Sequence, residues 1–102
     1  MEWTFSLHCK GVPEYGQIRK AIYTLIRDLR FKPIGPMHEV VFEGGGATFV
    51  QVFAQSHITV SAWPELDYIH IVLCTCDDTE LSRLEKLVQS HFGCRIFNSN
   101  KI

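Results

Sequence analysis

The sequence has no excess of charge of either sign. Ten Lys and Arg stand against eleven Asp and Glu, a formal net charge of −1. An electrostatic grip on nucleic acid or on an anionic membrane needs a clustered basic surface, so neither partner is expected. The one modest basic cluster (Arg19, Lys20, Arg27, Arg30, Lys32) falls on a predicted helix and its exit and reads as a solvated face. No apolar run approaches the roughly 20 residues that span a bilayer. The opening stretch MEWTFSLHCKG has no basic segment followed by an apolar one, so no signal peptide is expected and the protein is read as cytoplasmic. There the four cysteines, Cys9, Cys74, Cys76 and Cys94, default to free thiols. There is no C-x-x-C. Cys74 and Cys76 form C-x-C, which on a strand puts both on one face, and no second ligand pair has metal-like spacing, so no metal is expected. G-x-S-x-G, H-E-x-x-H, the P-loop and G-x-G-x-x-G are all missing, and Gly44-Gly45-Gly46 does not precede a helix. With no repeat, linker or low-complexity segment, residues 1–102 read as one domain.

What is present is a clear alternation of periods. Trp3, Phe5, Leu7 and Cys9 alternate with Thr4, Ser6 and His8, the pattern of a half-buried strand. From Pro13, which suits a helix's first turn, Ile18, Ile22, Leu25, Ile26 and Leu29 mark one helical face, and Pro33 and Gly35-Pro36 end the region. MHEVVFE, the three glycines and ATFVQVFAQ predict a hairpin with a flexible tip. SHITVSAW and the more apolar YIHIVLCTC predict two further strands, the second central. Asp77 and Glu80 have capping-box spacing ahead of a helix striped by Leu81, Leu84, Leu87 and Val88, with Gly93 as its C-cap and CRIFNSN as a last strand. The order is β-α-β-β-β-β-α-β. It predicts an α+β two-layer sandwich, a mainly antiparallel sheet with both helices on one face. The other face is then solvated or buried against another subunit, and Phe49, Phe53, Val60 and Ile71 favour a partner.

The stretch QSHITVSAWPE, followed eleven residues after Glu65 by Cys76 in C-T-C, is the most specific feature. It resembles the core motif of the small prokaryotic S-adenosylmethionine decarboxylases, in which a charged residue precedes S-H-[IL]-T-[VI]-H-T-[WY]-P-E and a strand ending in T-C follows. Beyond the motif the likeness is one of length, element order and the preceding hairpin. It implies that the serine hydroxyl attacks the preceding carbonyl, that β-elimination cuts the chain between Gln55 and Ser56, and that Ser56 becomes an N-terminal pyruvoyl cofactor. That group forms a Schiff base with S-adenosylmethionine and acts as an electron sink during decarboxylation, on the route to spermidine. By the same resemblance Cys76 is the acid that returns a proton. Trp63 packs near the adenine, Glu65 holds the ribose hydroxyls and Phe42 supplies a second adenine-stacking ring. Thr48 stands where a processing serine hydroxyl is found. A homodimer with the site near its interface is also implied.

Three residues depart from the motif. Ser61 stands where the family has a histidine that takes a proton during processing, Ala62 replaces threonine, and Gln55 replaces the charged residue. A serine hydroxyl is no base near neutral pH without a partner. In one reading His57, His70, or a water held by Ser61 and Thr48 replaces the missing base. In a second, the chain stays whole and binds a nucleoside ligand or regulates an active subunit. In a third, the same chemistry serves another amino acid, against which Trp63-Pro64-Glu65 argues. A simple Ser56–His57 pair is not expected, because strand neighbours face opposite ways.

Overall fold

A computed structural model describes residues 2–102. Six strands, β1 (Trp3–Lys10), β2 (Pro33–Val41), β3 (Ala47–Phe53), β4 (Ser56–Trp63), β5 (Tyr68–Thr75) and β6 (Arg95–Lys101), are joined by two helices, α1 (Tyr15–Asp28) and α2 (Leu81–Phe92). The sheet runs β2-β3-β4-β5-β1-β6 with every neighbouring pair antiparallel. This is the α+β sandwich with the element order read from the sequence, and β5 lies inside the sheet.

Alternation in the strands and the stripes of the helices meet in one core. Phe5, Leu7, Phe49, Phe53, Ile58, Val60, Ile69 and Ile71 face Ile18, Ile22, Leu25 and Ile26 of α1 and Leu84, Val88 and Phe92 of α2, all buried. Burying each such side chain stabilises the fold by about 1.5–3 kcal/mol. Phe49, Phe53, Val60 and Ile71 therefore belong to the helix-covered side. The inference of a partner from these four fails, because each is on the bulkier apolar side of its strand and that is the side the helices cover. The open face carries Thr4, Ser6, His8, Thr48, Val50, Thr59, Ser61, His70, Val72 and Cys74, all half-buried.

Local structure departs from expectation at three places. β2 begins at Pro33 rather than near Met37. It is an edge strand, where a proline's missing N–H is tolerated, and its register shifts between Ile34 and His38, around Gly35 at φ 71°. The side-chain amide of buried Gln51 donates to the carbonyls of Ile34 and Gly35 there, at 3.3 and 3.2 Å. Helix α1 begins two residues after Pro13. At α2 no capping box forms: Glu80 is the cap residue without a side-chain capping bond, Asp77 instead bonds through its N–H to Thr75 Oγ1, and Asp78 pairs with Lys101. Gly93 ends α2 in the left-handed conformation, as its type predicts.

Candidate active site

β3 and β4 are joined by only two residues, Ala54 and Gln55, since Phe53 pairs directly with Ser56. So tight a hairpin needs a residue with positive φ, and Gln55 takes it, at 55°. Ser56 then opens β4 on the helix side of the sheet and is only 5% exposed. Cys76 follows the end of β5. Its backbone N–H donates to Ser56 Oγ at 3.2 Å, and the serine hydroxyl points at its sulfur, 3.8 Å away. The thiol also lies 4.0 Å from the carbonyl oxygen of Ala54. Cys74 is differently placed: its sulfur meets Thr4 Oγ1 at 3.7 Å, so the C-x-C pair does not act as one unit. His57 is exposed and sits across from Cys74, separated from Ser56 by the sheet as strand geometry requires.

The remaining predicted residues gather elsewhere. Thr48 and Ser61 are register partners on the open face, with hydroxyls 3.3 Å apart. Phe42, Trp63 and Glu65 line one open cleft of about 370 Å³ together with Glu43, Gly44 and Gly46. Pro64–Leu66 forms a single 3-10 turn that carries Glu65 to the cleft rim. Gly46 is needed for the shape: a Cβ there would stand 3.3 Å from the Ala62 carbonyl oxygen and 4.0 Å from the rings of both Phe42 and Trp63. Trp63 is braced from behind by Tyr68, with stacked rings 5.3 Å apart.

Two half-sites result. Ser56 with Cys76 lies at one end of β4, and Thr48, Ser61, Trp63, Glu65 and Phe42 lie at the other. Five extended residues, roughly 17 Å, separate Ser56 from Ser61, and the two side chains are on opposite faces.

Beside the second half-site is a polar network that the motif did not announce. His70 is the cross-strand partner of Ser61. Its Nε2 lies 2.8 Å from Ser6 Oγ, which lies 3.3 Å from His8 Nε2, and His8 Nδ1 bonds to the Tyr68 hydroxyl. The His8 and His70 rings stack at 4.3 Å, 9° from parallel. Burial, and then the neighbouring charge of His8, hold His70 below the ordinary histidine pKa. Burial pushes the Tyr68 phenol up. The signal available in the sequence was that His8, Ser6, Tyr68 and His70 occupy the polar positions of two otherwise apolar strands.

The fold points to one class. The adenosylmethionine decarboxylase of Aquifex aeolicus superposes with a TM-score of 0.77 over 100% of this chain and 87% of that one, at 20% identity, so the two share a fold. The family model for S-adenosylmethionine decarboxylase matches residues 10–102, and the chain belongs to that family. The S-adenosylmethionine decarboxylase proenzyme of Archaeoglobus fulgidus is 26% identical over 69 residues, which cover 68% of this chain and 59% of that relative's length. Among the described residues no helix is long and apolar enough to cross a membrane.

Proposed function

We propose that this chain cuts itself between Gln55 and Ser56 to form a pyruvoyl group and then decarboxylates S-adenosylmethionine in the cytoplasm, as a homodimer, providing the aminopropyl donor for spermidine. The observation that carries the reading is the hold of Cys76 on Ser56 next to the positive-φ Gln55. The Ser56 hydroxyl is held by the Cys76 backbone N–H at the end of a two-residue turn, next to its own preceding peptide. A pyruvoyl group at position 56 fits this place, and when present it supplies an electron sink for the bond that leaves with carbon dioxide. Cys76 is within reach of position 56 and its thiol can donate a proton there as a general acid. The Phe42–Trp63 walls fit a purine and Glu65 fits a pair of ribose hydroxyls, a preference for a nucleoside substrate over a bare amino acid.

The separation of the half-sites supports the dimer. A second copy that sets its Thr48–Ser61 end against the Ser56–Cys76 end of the first completes one site, and the reciprocal contact completes another. The rival reading, a whole chain that binds a nucleoside or regulates a partner, draws on Ser61. Intact mass of the purified protein separates them. The enzyme gives two fragments, residues 1–55 and 56–102, the second blocked at its N-terminus, and Ser56→Ala stays whole. A wild-type chain still at 11.7 kDa after long incubation sinks the pyruvoyl mechanism.

A further inference from the structure

We propose that His70 is the proton-accepting base of this chain's self-cleavage, acting on Ser56 of a second copy from the position next to Ser61. The inference rests on the reading of Ser56 as the cleavage serine and assigns the one group that reading leaves open.

Ser61 and His70 are direct cross-strand partners on the same open face, so their Cβ atoms lie about 5 Å apart. Both side chains stand on that face, and the His70 ring leans toward β1, where its Nε2 meets Ser6 and its plane stacks on His8. Its orientation is set by the network behind it. The chain of bonds can run in either direction, and the role proposed requires the one in which His70 Nε2–H donates to Ser6 Oγ, the Ser6 hydroxyl donates to His8 Nε2, and His8 Nδ1–H donates to the Tyr68 oxygen. That tautomer leaves His70 Nδ1 with a free lone pair, and Nδ1 makes no hydrogen bond among the described residues. The ring is also stacked on His8 and only half exposed. Burial and the charge of His8 hold the ring in its neutral form, with a lone pair available to accept a proton. The other four histidines are worse placed: His57 lies four residues back along β4, His8 is one strand further from Ser61, His38 is on the edge strand β2, and His91 is on α2, bonded to Asp28.

The chemistry balances with water as the one co-reactant. Ser56 Oγ adds to the Gln55 carbonyl carbon, and the Gln55–Ser56 C–N bond breaks as the hydroxyl proton passes to the nitrogen, leaving an ester and a free amine. The Cα proton of Ser56 then goes to His70 Nδ1. Its electron pair forms the Cα=Cβ bond, and the Cβ–Oγ bond breaks to release Gln55 as a carboxylate. The imidazolium returns the proton to Cβ as the enamine becomes an imine, which water hydrolyses to the pyruvoyl carbonyl and ammonia.

The test follows cleavage by intact mass in the full-length wild type, His70→Ala, His70→Gln and the double variant His70→Ala/Ser61→His. His70→Gln retains a donor for Ser6 but has no base, so it separates folding from chemistry. Both single variants are expected to cleave about 100-fold more slowly or worse, with circular dichroism unchanged for His70→Gln, and the double variant to recover most of the wild-type rate. Wild type that cleaves while His70→Gln keeps pace overturns this assignment alone. So does a slowed His70→Ala that Ser61→His fails to restore, or slowing by His57→Gln in place of His70→Gln. Wild type that never cleaves overturns both this assignment and the function it rests on.

Discussion

Ser56 Oγ accepts the backbone N–H of Cys76 at 3.2 Å while its own proton faces the Cys76 sulfur at 3.8 Å. The two contacts have different fates when the side chain is changed. Cys76→Ala removes the sulfur and leaves the amide, so Ser56 stays held. The variant is expected to cleave, because the hydroxyl keeps its position, and to lose decarboxylation by about 10²- to 10⁴-fold, the worth of a positioned proton donor. Mass spectrometry and carbon dioxide release on the same preparation check it. Loss of cleavage together with activity would place the thiol in processing instead.

Glu65 and Trp63 make a second prediction. Both face the cleft lined by Phe42 and the glycine hairpin, remote from Ser56 in their own chain. Glu65→Gln keeps the shape and removes the charge, and hydrogen bonds to a charged group are worth about 1.5–3 kcal/mol each, so KM for S-adenosylmethionine is expected to rise about 10- to 100-fold. Cleavage, which needs no substrate, should be unaffected. An unchanged KM would show that the cleft is not the nucleoside site.

The fold was legible because its strands alternate and its helices carry stripes, as at Phe5, Leu7 and Cys9 or Ile18, Ile22 and Leu25. Which side of the sheet each stripe faced was not. Phe49 and Val60 look the same in the sequence whether a helix or a subunit covers them. Ser56, Trp63 and Glu65 were singled out by a specific motif, and the structure sets Trp63 and Glu65 on one cleft. What stayed hidden was distance: on an extended strand Ser56 and Ser61 stand roughly 17 Å apart, so one contiguous motif falls into two clusters. The Ser6–His8–Tyr68–His70 network was hidden for the opposite reason, since β1 and β5 are neighbours in the sheet and about 60 residues apart in the chain.

Asp67 ties the cleft turn to the rest of the fold. It has φ 49°, and its carboxylate accepts the backbone N–H groups of Gly11 at 3.0 Å and Val12 at 3.4 Å. Asp67→Ala loses both hydrogen bonds and leaves a residue that tolerates positive φ poorly, a cost of about 1–3 kcal/mol. Asp67→Asn keeps an oxygen in place and suits the left-handed region, so it should lie within about 1 kcal/mol of wild type. Urea unfolding of the three proteins measures this. Equal losses in the two variants would mean that the charge, rather than the geometry, holds the turn.

His70 also gives the fold a pH dependence. Burial and the charge of His8 lower its pKa in the folded chain, while an unfolded histidine titrates near pH 6.5. As pH falls below about 6.5 the unfolded chain takes up a proton that the folded chain resists, so stability declines until the lowered folded value is passed and then levels off. The groups that face His70 are His8 across β1 and Tyr68 along β5, while β4 offers only uncharged Thr59, Ser61 and Trp63. A carboxylate contribution falls in a separate window. The bond from His91, and then Arg27, holds Asp28 below its ordinary value. Its stabilisation is complete above about pH 3.9 and is lost only as pH drops through the lowered folded value. Urea unfolding between pH 8 and pH 5 should therefore show a decline in wild type that is reduced in His70→Gln and retained in Asp28→Asn. A His70→Gln curve parallel to wild type would show that His70 is not the source of the decline.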